Sequence, residues 1–463
     1  MDRRARYRHL LPFGLALIVS TVVSAPATAA VERAETAEGS AAPAAGLAAT
    51  QIVPGSVNHT TINLTATYAV TLSLRYGTRA FNVNSTATIV NTSGVAIDRV
   101  ELDLVPARLG HIALRTVEVD GRGVARHIDD QTVIVGLGGI LPPGASVKVR
   151  VQYTSTLRST IGGSDWMFTR ANGIVDAYRW IPWVSRATPF DRPNNGDPFQ
   201  TPVSPLVALK VQTDRPLRLV TSGRRTFVSA DGLTQRFEAR NVRDVTLTAA
   251  PDFHSISTLV GTTRVRYSYR SSANRATILD AAADALRALQ SRLGPYPYTT
   301  FDVVQSAGGY GMESPALIWI PYGVSSANLR YLVSHETAHQ WFYSLVGNDQ
   351  ANQPFVDEAM ADFLARDITR TRRASRCSTS TLDRSIYQYS GSCYYEVIYI
   401  QGGNLIDTVR SKMGATRFWS TLRTFVADNR DRLVRTPSLL RALDDATPVD
   451  LSILFRPRFP RFY

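Results

Sequence analysis

Two of the chain's seven histidines, His335 and His339, stand four residues apart in the stretch SHETAHQWF, with Glu336 between them. On a helix, positions four apart share one face, so both imidazoles can turn a ring nitrogen toward a single ion. Two imidazoles and one carboxylate around zinc, with the fourth position open, make a hydrolytic site, so a third ligand is required. Glu358 supplies it after eighteen intervening residues, in VDEAMADF, a segment that reads as the next helix. Glu336 would not bind the ion. It is placed to take a proton from a water that the ion acidifies and to pass that proton to a leaving amine. The chemistry implied is amide hydrolysis with one Zn2+. Asp362, one turn beyond Glu358, is either the partner of a ligand histidine's far nitrogen or a capping carboxylate. The bland reading of the pair is two satisfied histidines with no ion. With histidine this scarce, a chance His-Glu-x-x-His followed by a well-spaced glutamate is improbable.

The elements that must hold these groups are legible from period. Beyond about Thr258, Ile278, Ala282, Leu286, Leu289 and Leu293 form a helical stripe ending at Gly294-Pro295, and strands are expected at Phe301 to Gln305 and Ala316 to Ile320. A second helix, capped at Ser325 or Ser326 and running to Gly347, carries the histidines. Further helices are expected over Phe355 to Asp367, Leu405 to Met413 and Leu439 to Leu443. Residues 52 to 255 instead alternate with period two, as at Val70, Leu72, Leu74 and Tyr76, at Val100, Leu102 and Leu104, and at Val147, Val149 and Val151. Asp120-Gly121 and Asp231-Gly232 are hairpin turns. The expected fold class is α+β: an antiparallel all-β domain over residues 52–255, then a helix-rich domain over 256–463. The segment from Arg179 to Phe199, RWIPWVSRATPFDRPNNGDPF, breaks the alternation and reads as a long ordered loop.

The first thirty residues have a basic start with Arg3, Arg4, Arg6 and Arg8, an apolar run from Leu10 to Val23, and Ala27-Thr28-Ala29. That order reads as a signal peptide over 1–29, the alternative being a retained anchor, and residues 30–51 read as a flexible leader. A secreted, extracytoplasmic protein with no transmembrane span after signal removal is expected. Cys377 and Cys393, the only cysteines, fit an oxidising compartment as a disulfide contributing about 3 kcal/mol. The net charge is +13, nearly all of it from scattered arginine. Such scatter suits a solvated surface and weak association with an anionic cell envelope, and no basic stripe or module for nucleic acid is present.

The motifs together resemble the gluzincin zinc aminopeptidases typified by aminopeptidase N and leukotriene hydrolase. HETAHQWF, FVDE, the upstream GGYGMESP (Gly308 to Pro315) and YIQGG (Tyr399 to Gly403) carry the resemblance. It implies a saddle-like β domain, for which YAVTLSLRY and the WIPW region stand, and a thermolysin-like catalytic domain. It further implies that Glu313 binds the free α-amine of a peptide while the backbone of Gly309, Gly311 and Met312 pairs with it. Tyr399 would donate to the oxyanion, with Tyr394 and Tyr395 as nearby alternatives. Ser314, Ala359 and Gln401 depart from the family pattern without removing a proposed catalytic group. The large C-terminal helical domain of many relatives has no counterpart here, so a more open cleft is expected.

The leading expectation is an exported zinc metallo-aminopeptidase acting on peptides with a free N-terminus. A zinc endopeptidase on the same scaffold is the alternative if Glu313 does not reach the amine. A non-catalytic envelope-binding protein, anchored by the basic tail FRPRFPRFY, is the other, unless that tail docks on its own domain.

Overall fold

The computed structural model describes residues 51–186, 200–391 and 393–463. The expected signal, nearly all of the leader, and the second half of the long loop lie outside the described residues. Near the start of the described residues, Val53 bridges to Ile140.

Alternation becomes sheet wherever every second side chain can be buried. Thr65–Arg75, Ala80–Val90 and Ser146–Thr156 are eleven-residue strands of an eight-stranded sheet, each burying nearly every second residue. Two four-stranded sheets complete this half. The half is not purely antiparallel, because Thr65–Arg75 runs parallel to Val207–Thr213. Parallel neighbours need a crossover, and here more than 130 residues intervene, beyond the reach of local patterning. The expected long loop is also partly strand: Trp183–Val184 pairs with Ile97–Asp103, with both tryptophans of WIPW buried.

The second half is built on a five-stranded sheet: β1 (His254–Val260), β2 (Thr263–Tyr269), β3 (Thr300–Ser306), β4 (Met312–Ser314) and β5 (Leu317–Pro321), in the order β1-β2-β3-β5-β4. Its two faces serve different cores, as period two requires. Val304, Leu317 and Trp319 join the core of the β half, while Val303, Ile318 and Ile320 pack on the helices. This sheet is therefore shared between the halves, and β4, carrying Glu313, lies at its edge.

Among the described residues, the longer helices of this half are α1 (Arg275–Leu293), α2 (Ser326–Ala338), α3 (Met360–Thr369), α4 (Gly402–Met413), α5 (Ala415–Asp428) and α6 (Thr436–Asp445). α2 stops nine residues short of the expected Gly347. Apolar character continues past His339, but the backbone turns, Tyr343 taking φ 142°. Gln340 is drawn to the β4–β5 turn, and the Tyr343 hydroxyl donates to Asp244 of the β half. π-helical turns at Phe355–Ala359 and Tyr395–Gln401 precede α3 and α4, in line with the concentration of such turns at functional sites. No helix among the described residues is long and apolar enough to cross a membrane.

The tail docks on its own half. Phe455 and Phe459 are fully buried, Phe459 lying edge-on to Phe355 at 4.8 Å, and Arg461 bonds Asp383. Cys377 and Cys393 form a disulfide, and the loop it closes meets the tail where Arg458 donates to the Ser380 carbonyl.

Candidate metal centre and cleft

His335 lies in the last turn of α2 and His339 at its C-cap, so the four-residue spacing places both rings on one side. Their Nε2 atoms are 3.2 Å apart, and Glu358 Oε2, from the π-helical turn before α3, is 3.3 Å from the first and 3.5 Å from the second. Donor atoms held tetrahedrally at about 2.0–2.1 Å from one zinc ion would be separated by about 3.3–3.4 Å. The three measured spacings match that edge length. Two imidazole lone pairs turned on one another at this separation repel, and either a shared proton or a metal cation relieves that repulsion. The residues present therefore fit a zinc ion.

The electrostatics of the cleft point the same way. Glu313, Glu336 and Glu358 are all buried around His339. Burial, then repulsion from Glu313 and Glu358, pushes the Glu336 carboxyl well above its ordinary range, with His339 opposing. Burial likewise raises Glu313. Burial alone would raise Glu358 too, but its contacts with His335 and His339 outweigh that and hold it at about 2. A buried cluster with this much acid calls for compensating positive charge.

Neighbouring contacts orient the ligands. His339 Nδ1 lies 3.0 Å from the Phe342 carbonyl, a geometry that leaves Nε2 facing the ligand set. Asp362 does not perform the corresponding service for His335. Its carboxylate accepts two hydrogen bonds from Arg366, at 2.5 and 2.8 Å, and one from the Tyr331 hydroxyl at 2.5 Å. A guanidinium one turn along α3 offers two donors in a fixed fork and takes the carboxylate. Among the described residues, His335 Nδ1 is buried without a hydrogen-bond partner. The His335 ring is instead held between Tyr331, 5.8 Å away, and Tyr399, stacked at 5.5 Å and 16°.

Of the three candidate tyrosines, Tyr399 reaches the centre, its hydroxyl bonding Glu358. Tyr395 lines the rim, its hydroxyl accepting from Arg373 at 3.0 Å, and Tyr394 is buried against Tyr399. Glu313 accepts from Gln350 at 3.2 Å, and Gln350 accepts from Arg179 of the β half at 3.1 Å. Gln340 clamps the turn after β4, donating to the Ser314 carbonyl and accepting from the Ala316 amide, both at 2.9 Å. Ser314, where the family pattern has asparagine, donates to Asp244. Gln401, the other polar departure, donates to the Cys377 and Thr379 carbonyls and so ties the Tyr399 segment to the disulfide loop.

Two glycines admit close approach. At Gly309 (φ 86°) a Cβ would sit 2.3 Å from the Trp166 indole, and at Gly311 it would sit 2.2 Å from Glu336 Oε1. Both lie beside a cleft of about 370 Å³ walled by Trp166, Tyr310, Met312, Tyr331, Leu332 and Tyr395 around the charged groups. A wider groove of about 540 Å³ elsewhere, lined by Arg218, Arg225 and Arg266, contains no carboxylate.

Gln350, Gln340, Tyr331 and Trp166 were not singled out by sequence reasoning. Gln340 alone had a signal, a polar residue directly after the second histidine in an otherwise apolar run.

No family model matches the sequence, and no curated protein does. Solved structures do match. The M1 zinc metallopeptidase from Deinococcus radiodurans superposes with a TM-score of 0.65 at 20% identity, covering 86% of this chain and 93% of that one. A glutamate-to-alanine variant of it gives 0.68 at 18% identity, covering 88% and 96%. The same variant bound to Tyr-Ser-Ala gives 0.65 at 18% identity over the same shares. The chain has the fold of these two-domain M1 zinc metallopeptidases.

Proposed function

We propose that this protein, sharing the fold of two-domain M1 zinc metallopeptidases, is a zinc aminopeptidase that removes N-terminal residues from peptides. The observation that carries the reading is the convergence of two ligand sets on His339: His335, His339 and Glu358 on one side, and Glu313, Glu336 and His339 on the other, each with donor atoms within 4.8 Å of one another. The first set is a zinc site. The second places a spare carboxylate for the proton and another for an ammonium beside it.

A zinc ion held by His335, His339 and Glu358 would supply Lewis acidity to a substrate carbonyl and to a water. Glu336 takes the proton from the attacking water and delivers it to the leaving amine. Glu313, steadied by Gln350, binds the substrate's α-ammonium and so sets the first peptide bond at the centre. The Tyr399 hydroxyl donates to the oxygen on which negative charge develops. Matching two-domain M1 zinc metallopeptidase variants are bound to L-arginine and to L-tryptophan, and the Deinococcus variant to Tyr-Ser-Ala, ligands that all present a free amine. This supports the amine-dependent reading over the endopeptidase one.

Export is part of the proposal. The leader pattern and the disulfide support it, and N-terminal sequencing of secreted protein should begin at Ala30.

The test compares a tripeptide with its N-acetylated form, with and without chelator. Hydrolysis of the free peptide only, lost on chelation and restored by zinc, is expected. Glu336→Gln should lower kcat by about 10²- to 10⁴-fold with zinc stoichiometry unchanged. Equal hydrolysis of the blocked peptide, or an active Glu336→Gln variant, would refute the assignment.

A further inference from the structure

The order of groups along β4 and the loop before it assigns a direction to the substrate, on the aminopeptidase reading above. Glu313 holds the amine. Two residues earlier, the missing Cβ of Gly311 makes room for Glu336, the acid that serves the scissile bond. An extended peptide advances about 3.3 Å per residue, so the groups met next, moving away from Glu313, face the residue after that bond.

The groups there are Tyr310, Trp166 and Leu332. A Cβ on Gly311 would lie 2.8 Å from Leu332 Cδ1, which places Leu332 beside the scissile position. Tyr310 stands edge-on to Trp166, with ring centroids 5.8 Å apart at 74°. Trp166 is nearly fully buried, pressed on Gly309 and packed against Trp319 at 6.3 Å. Tyr310 is 57% exposed, a large ring braced on one side and open on the other. None of the three is charged. Edge-to-face aromatic pairs accept a further ring favourably, and an apolar side chain seated here removes exposed surface from Tyr310.

We propose that Trp166, Tyr310 and Leu332 form a subsite for the second residue of the peptide, and that the protein favours substrates carrying a large apolar or aromatic side chain there. Glu313 recognises only the amine, so the first residue's identity does not enter this preference. Small second residues leave Tyr310 uncovered, and charged ones lose hydration without gaining a partner.

The experiment is a series Leu-X-Gly, with X as Phe, Leu, Ala, Lys or Glu, scored by release of leucine. With zinc-loaded wild-type protein, kcat/KM for Phe should exceed that for Ala, Lys and Glu by about ten- to hundredfold, a ratio set by burial of one large side chain. Tyr310→Ser should bring the Phe-to-Ala ratio close to one, through KM rather than kcat, with zinc content unchanged. Since Tyr310 is largely exposed, the variant should fold, and circular dichroism checks that it does. Cleavage indifferent to X in the wild type, or a Phe-to-Ala ratio unchanged in Tyr310→Ser, overturns the subsite. Cleavage of no free tripeptide, or equal cleavage of the N-acetylated series, overturns the aminopeptidase reading and the subsite with it.

Discussion

Replacing Gly311 by alanine separates catalysis from stability in one atom. The added Cβ would lie 2.2 Å from Glu336 Oε1 and 2.8 Å from Leu332 Cδ1, whereas ordinary contact begins near 3.4 Å. Glu336 must therefore withdraw by about 1.2 Å. Gly311 does not sit in the left-handed region, so alanine strains no backbone there. The carboxylate is the free end of a flexible side chain, so the clash relaxes by rotation, and the fold should lose less than about 1 kcal/mol. For a group proposed to accept the proton, however, a misplacement of about 1 Å costs on the order of 10²-fold in rate. Gly311→Ala should thus keep its zinc and melt close to the wild type, while kcat falls about a hundredfold on a free tripeptide. Because Glu313, the proposed amine anchor, is untouched, KM should move much less than kcat. The assay is steady-state hydrolysis beside metal analysis and thermal melting on the same preparation. Wild-type kcat in a zinc-loaded Gly311→Ala protein would refute both the seat assigned to Glu336 and its role.

Asp176, buried in the β half, accepts the Ala307 amide at 2.7 Å, and burial pushes its carboxyl up to about 7 despite this hydrogen bond and one from Thr248. A raised pKa in the folded state means stability is fully present below the ordinary aspartate value and is lost as pH rises through about 7. The loss amounts to at most about 4 kcal/mol, and Asp176→Asn, which keeps the acceptor, should flatten that part of the profile in denaturant titrations at pH 5 and pH 8. An unchanged pH slope in Asp176→Asn would count against a buried, proton-binding carboxyl. Phe459→Ala should cost about 3–5 kcal/mol in chemical unfolding, since the ring is fully buried against Phe355 beside the Glu358 turn. A near-neutral result would mean the tail is not docked in solution.

How much of this was legible beforehand depends on how local each feature is. His335, His339 and Glu336 are tied by helix geometry, so their juxtaposition follows from spacing, whereas Glu358 is brought to them by a connection that itself pairs with Leu433–Val434. The α1 stripe ends at Leu293, as Gly294-Pro295 indicates, because the stop is written in the adjacent residues. The long strands likewise follow from alternation. Helix α5 escaped notice: its apolar positions, Phe418, Leu422, Phe425 and Val426, are regular but diluted by polar neighbours.

What the chain determined by itself was the set of chemical groups and the periodicity of the elements that carry them, because both are properties of residues close in sequence. Tertiary structure decided the rest. The parallel pairing of Thr65–Arg75 with Val207–Thr213, the early end of α2, the capture of Asp362 by Arg366 and Tyr331, and the Arg179, Gln350, Glu313 relay all emerge only in the folded chain. Apart from the Arg366 fork, each joins residues thirty or more positions apart or bends to a contact from the other half. Such contacts are selected by competition among donors and by packing of the β half against the shared sheet. No local pattern encodes that competition, so Trp166 read as one more apolar residue until the fold set it beside Tyr310.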